Sequence, residues 1–526
     1  MADVQLEIEQ KFDVEETFVL PDLSGVPGVA EVREPVEHHL DAAYYDTADL
    51  RLARARVTLR RRTGGTDAGW HVKLPAVAGA RRELHSPVGR AAKTPPKAVL
   101  EPVLGIVRQA PAAQVALLRT RRVVTELADA EGRVLVEVAD DHVTGTAYPA
   151  GPGEAAVVTT WREVEVELVD GDEAVLGAVA EALLDAGARP ADSPSKLARV
   201  LGDRLTALVP ERPAAEAPRK KDKGKKGKKG KGERRAPAAA AGDVVAAALR
   251  SQVQALSDAD LMVRTGQADG VHQVRVACRR LRSTLAAFRP VLDRTQTDPV
   301  REELAVVGSA LSPTRDAEVA VAHLRELVAA QPVELVLGPV AARLQQAAVK
   351  DEAAGDAAAR KVLSGAAYLR LREDLDALVA EPPLTETAVR PADEVLREVL
   401  ARTTRRLQRS VELAEGATED EALHDVRKAA KRLRYTAEAA VPVLGRPVAE
   451  LVTAIKGVQE VLGDRQDTFI TRPLCVQLGL QAFAAGENAW TWGRLHALEQ
   501  ARSEQAEREF WVRWPQLRPA LRAATK

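Results

Sequence analysis

Residues 4–12 read VQLEIEQKF, and their alternation decides what kind of fold the N-terminal half can adopt. Apolar and charged residues exchange places at every step. That is the period of a β-strand, so Glu7, Glu9 and Lys11 go to one face and Leu6, Ile8 and Gln10 to the other. Alone, the pattern also fits the solvated face of a surface hairpin. It recurs, however, in VTLRRR (57–62), GWHVKLP (69–75), RRELHSPV (81–88), RVLVEVADD (133–141) and REVEVELVD (162–170), separated by Gly, Pro and acidic turns. These predict antiparallel strands, with a helical patch near residues 174–187, in a β-rich α+β domain.

Parity groups the charges strand by strand. Arg60 shares a face with Arg62, His71 with Lys73, Arg81 with Glu83, Arg119 with Arg121, Glu137 with Asp141, and Glu165 with Glu167. Closing such strands into a barrel gathers these faces in one lumen. A lumen so crowded with cations and carboxylates fits a polyanion on its basic wall and divalent cations on its acidic one. Arg grips phosphate through a bidentate fork, while Mg²⁺ takes one or two carboxylates together with phosphate oxygens. The competing interpretation is a twisted sheet with a solvated, salt-bridged face.

Composition sets outer limits. A chain of 526 residues is long enough for more than one domain. The two cysteines, Cys278 and Cys475, exclude a disulfide scaffold or a Cys-rich zinc site and fit a reducing compartment. No apolar run reaches the roughly 18 residues of a membrane span, and the start has no apolar signal core, so a soluble cytoplasmic protein is expected. The net charge of -1 hides its distribution: residues 1–208 are acidic, 219–235 strongly basic and 240–526 balanced. Aromatics at 3% and that balance disfavour nucleic acid as a partner.

The stretch 209–242, with KKDKGKKGKKGKG at its centre, cannot bury a core and is predicted to be a disordered basic linker. Domains are therefore expected at 1–208 and 243–526. Beyond the linker the periodicity turns helical, and it repeats. VHQVRVACRRLRSTLAAF from Val271 matches LHDVRKAAKRLRYTAEAA from Leu423, offset by 152 residues, and LSPTRD from Leu311 matches LGDRQD from Leu462, offset by 151. Two ordered matches at nearly one offset predict an all-α domain of two related bundles. In the first copy His272, Arg275, Arg279 and Arg282 fall on one helix face; in the second, His424, Arg427, Lys431 and Arg434, widened by Lys428 and Arg432. Such a face is either solvated and paired with acids or the bed of a long anion.

The N-terminal motifs together resemble the CYTH domain of the triphosphate tunnel metalloenzymes: Glu7-x-Glu9-x-Lys11, YYDT at Tyr44 to Thr47, LRRR at Leu59 to Arg62, HVKLP around Lys73, RRE at Arg81 to Glu83, EVELVDG from Glu165 and Ser195-Lys196. The resemblance implies an eight-stranded antiparallel β tunnel that hydrolyses triphosphates with Mg²⁺ or Mn²⁺. Catalytic positions would be Glu7, Glu9, Lys11, Glu165 and Glu167, with Glu7, Glu9, Asp141, Glu165 and Glu167 as metal ligands. Arg60, Arg62, Lys73, Arg119, Arg121 and Lys196 would bind substrate. The doublets Arg121-Arg122 and Asp140-Asp141 leave the inward member open, because a one-residue slip exchanges faces. Arg56 stands where related sequences often have Gly.

The C-terminal half resembles the CHAD domain, which implies a double helical bundle binding inorganic polyphosphate through His272, Arg275, Arg279, Arg282, His424, Arg427, Lys428, Lys431 and Arg434. Asp316 and Asp467 would tie down the basic helices by ion pairs. Together the two resemblances imply a cytoplasmic inorganic triphosphatase that hydrolyses tripolyphosphate, binds polyphosphate and associates with polyphosphate granules. The alternatives are a non-catalytic granule-binding protein and a tunnel enzyme acting on a nucleoside or thiamine triphosphate, adenylate cyclase included.

Overall fold

The computed structural model describes residues 3–64, 68–75, 81–87, 94–151, 153–208, 239–417 and 420–525. The chain divides into two compact units, 1–225 and 226–526. Of the expected linker, 209–238 lies outside the described residues. Its last residues do not behave as linker, because α6 already begins at Ala241.

The first unit is built on one antiparallel sheet. In chain order its strands are β1 (Asp3–Glu7), β2 (Glu9–Val14), β3 (Glu31–Val32), β4 (Val36–Asp46), β5 (Thr58–Thr63), β6 (Gly69–Leu74), β7 (Arg81–Pro87), β8 (Ala113–Ala128), β9 (Val134–Ala147), β10 (Val157–Leu168) and β11 (Arg189–Pro190). They are ordered β1-β7-β6-β5-β4-β8-β9-β10-β2-β11, with β3 beside β8. β1 and β2 are one strand interrupted at Ile8. Its first half pairs with β7 and its second with β10, so this segment joins the two ends of the sheet and closes the barrel. With β1 and β2 counted as one and the two-residue strands set aside, the wall has the eight strands expected.

Alternation gives the barrel different coats inside and out. On the outer face Phe12, Val136, Val138, Val164 and Val166 are buried beneath α4 (Glu173–Asp185), which contributes Leu176, Val179 and Leu183. The Asp172 carboxylate caps that helix, accepting from the N–H groups of Ala174 and Val175 at 3.0 Å each. α5 (Lys196–Leu208) instead sends Leu197, Val200 and Leu201 against Tyr44, Leu118 and Val143, filling one end of the lumen. This plug requires Gly145, since a Cβ there would lie 2.2 Å from the Val200 methyl.

The YYDT segment proves structural at its second half. Buried Asp46 accepts from the backbone N–H groups of Thr47, Leu52 and Ala53 at 2.7, 2.9 and 2.9 Å, holding the short helix α1 (Arg51–Arg54) against β4. Arg56 then adopts φ 59°, so the turn keeps the left-handed backbone that glycine favours without having glycine. Two further one-turn helices, α2 (Lys97–Leu100) and α3 (Leu104–Val107), precede β8.

The second unit is helical: α6 (Ala241–Arg264), α7 (Gly270–Ala287), α8 (Arg294–Ala310), α9 (Ser312–Ala329), α10 (Val340–Ser364), α11 (Ala366–Ala380), α12 (Ala392–Ala414), α13 (Asp420–Leu444), α14 (Arg446–Ala484) and α15 (Trp490–Ala524). The two sequence copies fall on α7 and α13, which pack on α6 and α12 respectively and also touch each other. Their apolar stripes are buried as expected: Val274, Cys278, Leu281 and Leu285 in one, Val426, Ala430 and Leu433 in the other. Both cysteines are free and buried, and burial pushes each thiol up to about 12, which makes them inert packing groups. Among the described residues no helix is long and apolar enough to cross a membrane.

Candidate functional site

The barrel encloses a cavity of about 920 Å³ lined almost wholly by inward-parity residues. Strand register arranges them in rows. Tyr44, Arg60, His71 and His85 lie opposite one another across β4, β5, β6 and β7, and Lys73 faces Glu83 in the next row. Glu83 anchors this basic wall, accepting from Arg60 at 3.3 Å, meeting His71 Nδ1 at 2.7 Å and Lys73 Nζ at 3.4 Å. Burial would raise the Tyr44 hydroxyl pKa, but the charge and hydrogen bond of Arg60 hold it below its usual value.

The opposite wall is acidic. Glu9, Glu167 and Glu137 stand side by side on β2, β10 and β9, and Glu126 of β8 continues the row. Burial and neighbouring carboxylates raise the pKa of Glu167 and Glu137. Burial would also raise Glu9, but the Lys11 ammonium, 3.1 Å from its carboxylate, holds it lowered. Lys11 also bridges to Glu165.

Deeper in, beside the plug, Asp141, Glu163 and Glu165 bring ligand atoms within 4.8 Å of one another. These oxygens are already matched by cations. Lys196 Nζ lies 2.9, 2.6 and 2.7 Å from the three carboxylates, and Arg122 donates to Asp141 at 2.8 and 2.6 Å and to Glu165 at 2.5 Å. Burial opposes each charge, yet the cluster overrides it: Glu165 is held well below the usual carboxylate range, while Lys196 and Arg122 are raised. Among the described residues the triad Asp141, Glu163 and Glu165 is the acidic group whose oxygens lie close enough together to hold one metal ion.

Of the expected tunnel residues, Glu9, Lys11, Arg60, Arg62, Lys73, Glu165, Glu167 and Lys196 line the cavity. Asp141, not Asp140, faces inward, and it is fully buried under Arg122 and Lys196. The side chain of Glu7 lies outside the described residues, although its backbone ends β1. Arg119 and Arg121 must be corrected. Both sit on the outer face of β8, beside Asp41 at 3.9 Å and Glu37 at 3.0 Å, and Arg122 takes the inward position. The physical reason is register, since Leu118, Thr120 and Arg122 share the parity of the plug contacts. Sequence reasoning left out Tyr44, Glu83, Glu163 and His85 as site residues. Glu163 was legible from the parity of Glu165 and Glu167; the other three needed the closed barrel.

In the helical unit Arg275, Arg279, Arg427, Lys431 and Arg434 converge where α7 meets α13. Arg279 donates to the Tyr435 hydroxyl at 3.1 Å across this seam, and Arg275 is tied to Asp316 at 3.0 Å. Burial and the charges of Arg427, Arg279, Arg275 and Arg434 push the Lys431 ammonium pKa down to about 6. Lys428 faces solvent and pairs with Asp425, while Arg282 is exposed on α7. The two histidines stand at the margin: His424 hydrogen-bonds Gln466, and His272 lines a separate cavity of about 270 Å³ with Glu318 and Arg325.

Family models match both units, a CYTH domain over residues 5–200 and a CHAD domain over 247–475. An uncharacterized protein found in two strains of Mycobacterium tuberculosis is 36% identical over 538 residues, covering 99% of this chain and 98% of its own. Among solved structures, PptA from Streptomyces chartreusis aligns at 22% identity and a TM-score of 0.44, covering 53% of this chain and all of its own. The CHAD domain from the plant Ricinus communis gives 22% and 0.38, covering 55% and 92%. The PH1819 protein of Pyrococcus horikoshii gives 15% and 0.22, covering 38% and 99%. With its tunnel in the first unit and paired basic helices in the second, the chain belongs to the family of proteins that join a CYTH domain to a CHAD domain.

Proposed function

We propose that the chain is a metal-dependent phosphoanhydride hydrolase that cleaves inorganic tripolyphosphate in the tunnel and binds inorganic polyphosphate on its helical unit. The observation that supports the catalytic half is the division of one barrel cavity into a wall of Arg60, Arg62 and Lys73 and a row of Glu9, Glu167 and Glu137. The basic wall fits a chain of phosphates, with guanidinium forks on the non-bridging oxygens. A divalent cation, Mg²⁺ or Mn²⁺, held by carboxylates of that row would draw charge from the phosphate oxygens. Lys11, bridging Glu9 and Glu165, orients both carboxylates toward the lumen. Water then attacks a terminal phosphorus, the P–O bond to the bridging oxygen breaks, and pyrophosphate and phosphate leave with the water's protons shared among the products and solvent.

For the helical half, the supporting observation is Lys431, a half-buried ammonium surrounded by four arginines, whose charge an anion would restore. Phosphate release from tripolyphosphate, ATP and thiamine triphosphate, each with Mg²⁺ or Mn²⁺ and with chelator, tests the first half. Turnover of tripolyphosphate lost on chelation is expected, whereas cyclic AMP from ATP with tripolyphosphate untouched would overturn it. Association with polyphosphate granules is the cellular consequence of the second half.

A further inference from the structure

The two sequence copies place corresponding residues at the two ends of the α7–α13 seam, and the ends are not alike. At one end Glu438 accepts an ion pair from Arg434 at 3.1 Å and one from Arg280 at 3.4 Å. The Tyr435 ring fills the same place, with Arg280 and Arg434 stacked over it at 5.5 and 5.0 Å. At the offset of 152, Glu438 corresponds to Ala286 and Tyr435 to Ser283. The equivalent positions at the other end therefore carry neither acid nor ring.

Cations from four helices gather there instead. Arg432, the counterpart of Arg280, is half-buried and faces Arg282, Arg289, Arg301 and Arg406. Burial and those charges together push Arg432 down to about 10. Arg289 and Arg301 share a single carboxylate, Asp298, at 2.7 and 3.2 Å. Arg402 of α12 donates to the Ala287 carbonyl at the end of α7, 2.6 Å away, and so carries the basic strip onto α12. Like charges so gathered cost free energy unless an anion runs between them.

We propose that the seam is one-ended: a polyphosphate chain seated over Lys431 continues past Arg282 and Arg432 toward Arg301 and Arg406, and is stopped at the opposite end by Glu438 and Tyr435. The proposal rests on the helical unit being a polyphosphate binder and adds the direction and extent of the bound chain. The first few phosphates occupy the centre, and later ones meet further cations on the Arg432 side only. Affinity should therefore grow with chain length beyond what the central cations contribute.

The test uses the full chain with chelator present, comparing tripolyphosphate with a polyphosphate many tens of units long, across a salt series. Ala286→Glu, which copies the closed end onto the open one, should weaken long-chain binding about tenfold. It should also lower the salt slope by about 0.7 for each phosphate that is no longer neutralised, the single-strand value for nucleic acid. Exposed Arg406→Ala should do the same to a smaller degree and keeps the test alive if Ala286→Glu misfolds. Glu438→Ala should strengthen long-chain binding. Tripolyphosphate affinity should be the same in all three. Long-chain affinity unchanged in Ala286→Glu and Arg406→Ala, or short and long chains weakened equally, overturns the one-ended path while leaving polyphosphate binding intact. Wild-type protein that binds no chain at all removes the underlying assignment as well.

Discussion

The tunnel and the helical seam are both dense in cations, yet they treat them oppositely. In the tunnel Lys11, Arg60, Lys73, Arg122 and Lys196 each have a carboxylate within ion-pair distance. Along the seam, Lys431 in the centre and Arg432 at the open end are surrounded by other cations. A neutralised site holds its shape while empty and gives up protein partners when substrate arrives, which favours turnover. An uncompensated one is relieved by the ligand itself, which favours retention. The two kinds of site match the proposed division between hydrolysis and binding.

This contrast is tested most severely by removing a neutralising partner from the tunnel. Lys196→Met leaves Asp141, Glu163 and Glu165 buried with one fewer cation, and should cost about 3–5 kcal/mol in thermal or denaturant unfolding of the first unit. A loss below that of an ordinary surface substitution would mean that the cluster is not held by Lys196. Next in size, Glu9→Ala should lower tripolyphosphate turnover by about a hundredfold or more with the circular dichroism spectrum unchanged. Near-normal activity would remove Glu9 from the metal row.

The seam makes a prediction of opposite kind. With its pKa near 6, Lys431 is mostly neutral at neutral pH in the free protein, and a bound polyanion restores its charge, so binding takes up a proton. Polyphosphate affinity should therefore rise as pH falls from 8 to 6, by up to about tenfold per unit, and level off below 6. Calorimetry in buffers of different ionisation heat reads the proton directly, and Lys431→Arg should flatten the profile. Smallest of all, Arg119→Ala and Arg121→Ala should each change stability by no more than about 1 kcal/mol and leave turnover unaltered, because both are on the outer face of β8.

What the sequence revealed follows the reach of each signal. Period-two alternation is local, so the strands, the inward set of Glu9, Lys11, Arg60, Arg62 and Lys73, and the helical repeat could all be read directly. The Arg121-Arg122 doublet could not, because parity inside β8 depends on its partner β4, where Ala42 and Tyr44 face the plug helix. Asp140 and Asp141 posed the same problem, and register settles them the same way: Asp140 pairs outside with Arg162, Asp141 inside with Arg122. Glu83 was not singled out as a site residue because its importance lies in Arg60, His71 and Lys73, which converge on it from β5 and β6. Lys431 stood in the expected basic face, but its lost charge could not be read from helical spacing, since two of its four arginine neighbours come from the other copy.

The one-residue break at Ile8 also bears on how the barrel comes into being. Residues 3–14 are shared between two partners distant in the chain, and the contact between Lys11 and Glu165 spans 154 positions. Pairings at such separation carry the largest loop-closure cost, so they form after the hairpins from β4 to β10 have assembled. Until then the sheet has two open edges, at β7 and at β10, each able to recruit a foreign strand. The segment that supplies Glu9 and Lys11 to the site is thus also the latch of the fold. Pulse-labelled hydrogen exchange should find its amides among the last to gain protection, and early protection at β1 and β2 would contradict that order.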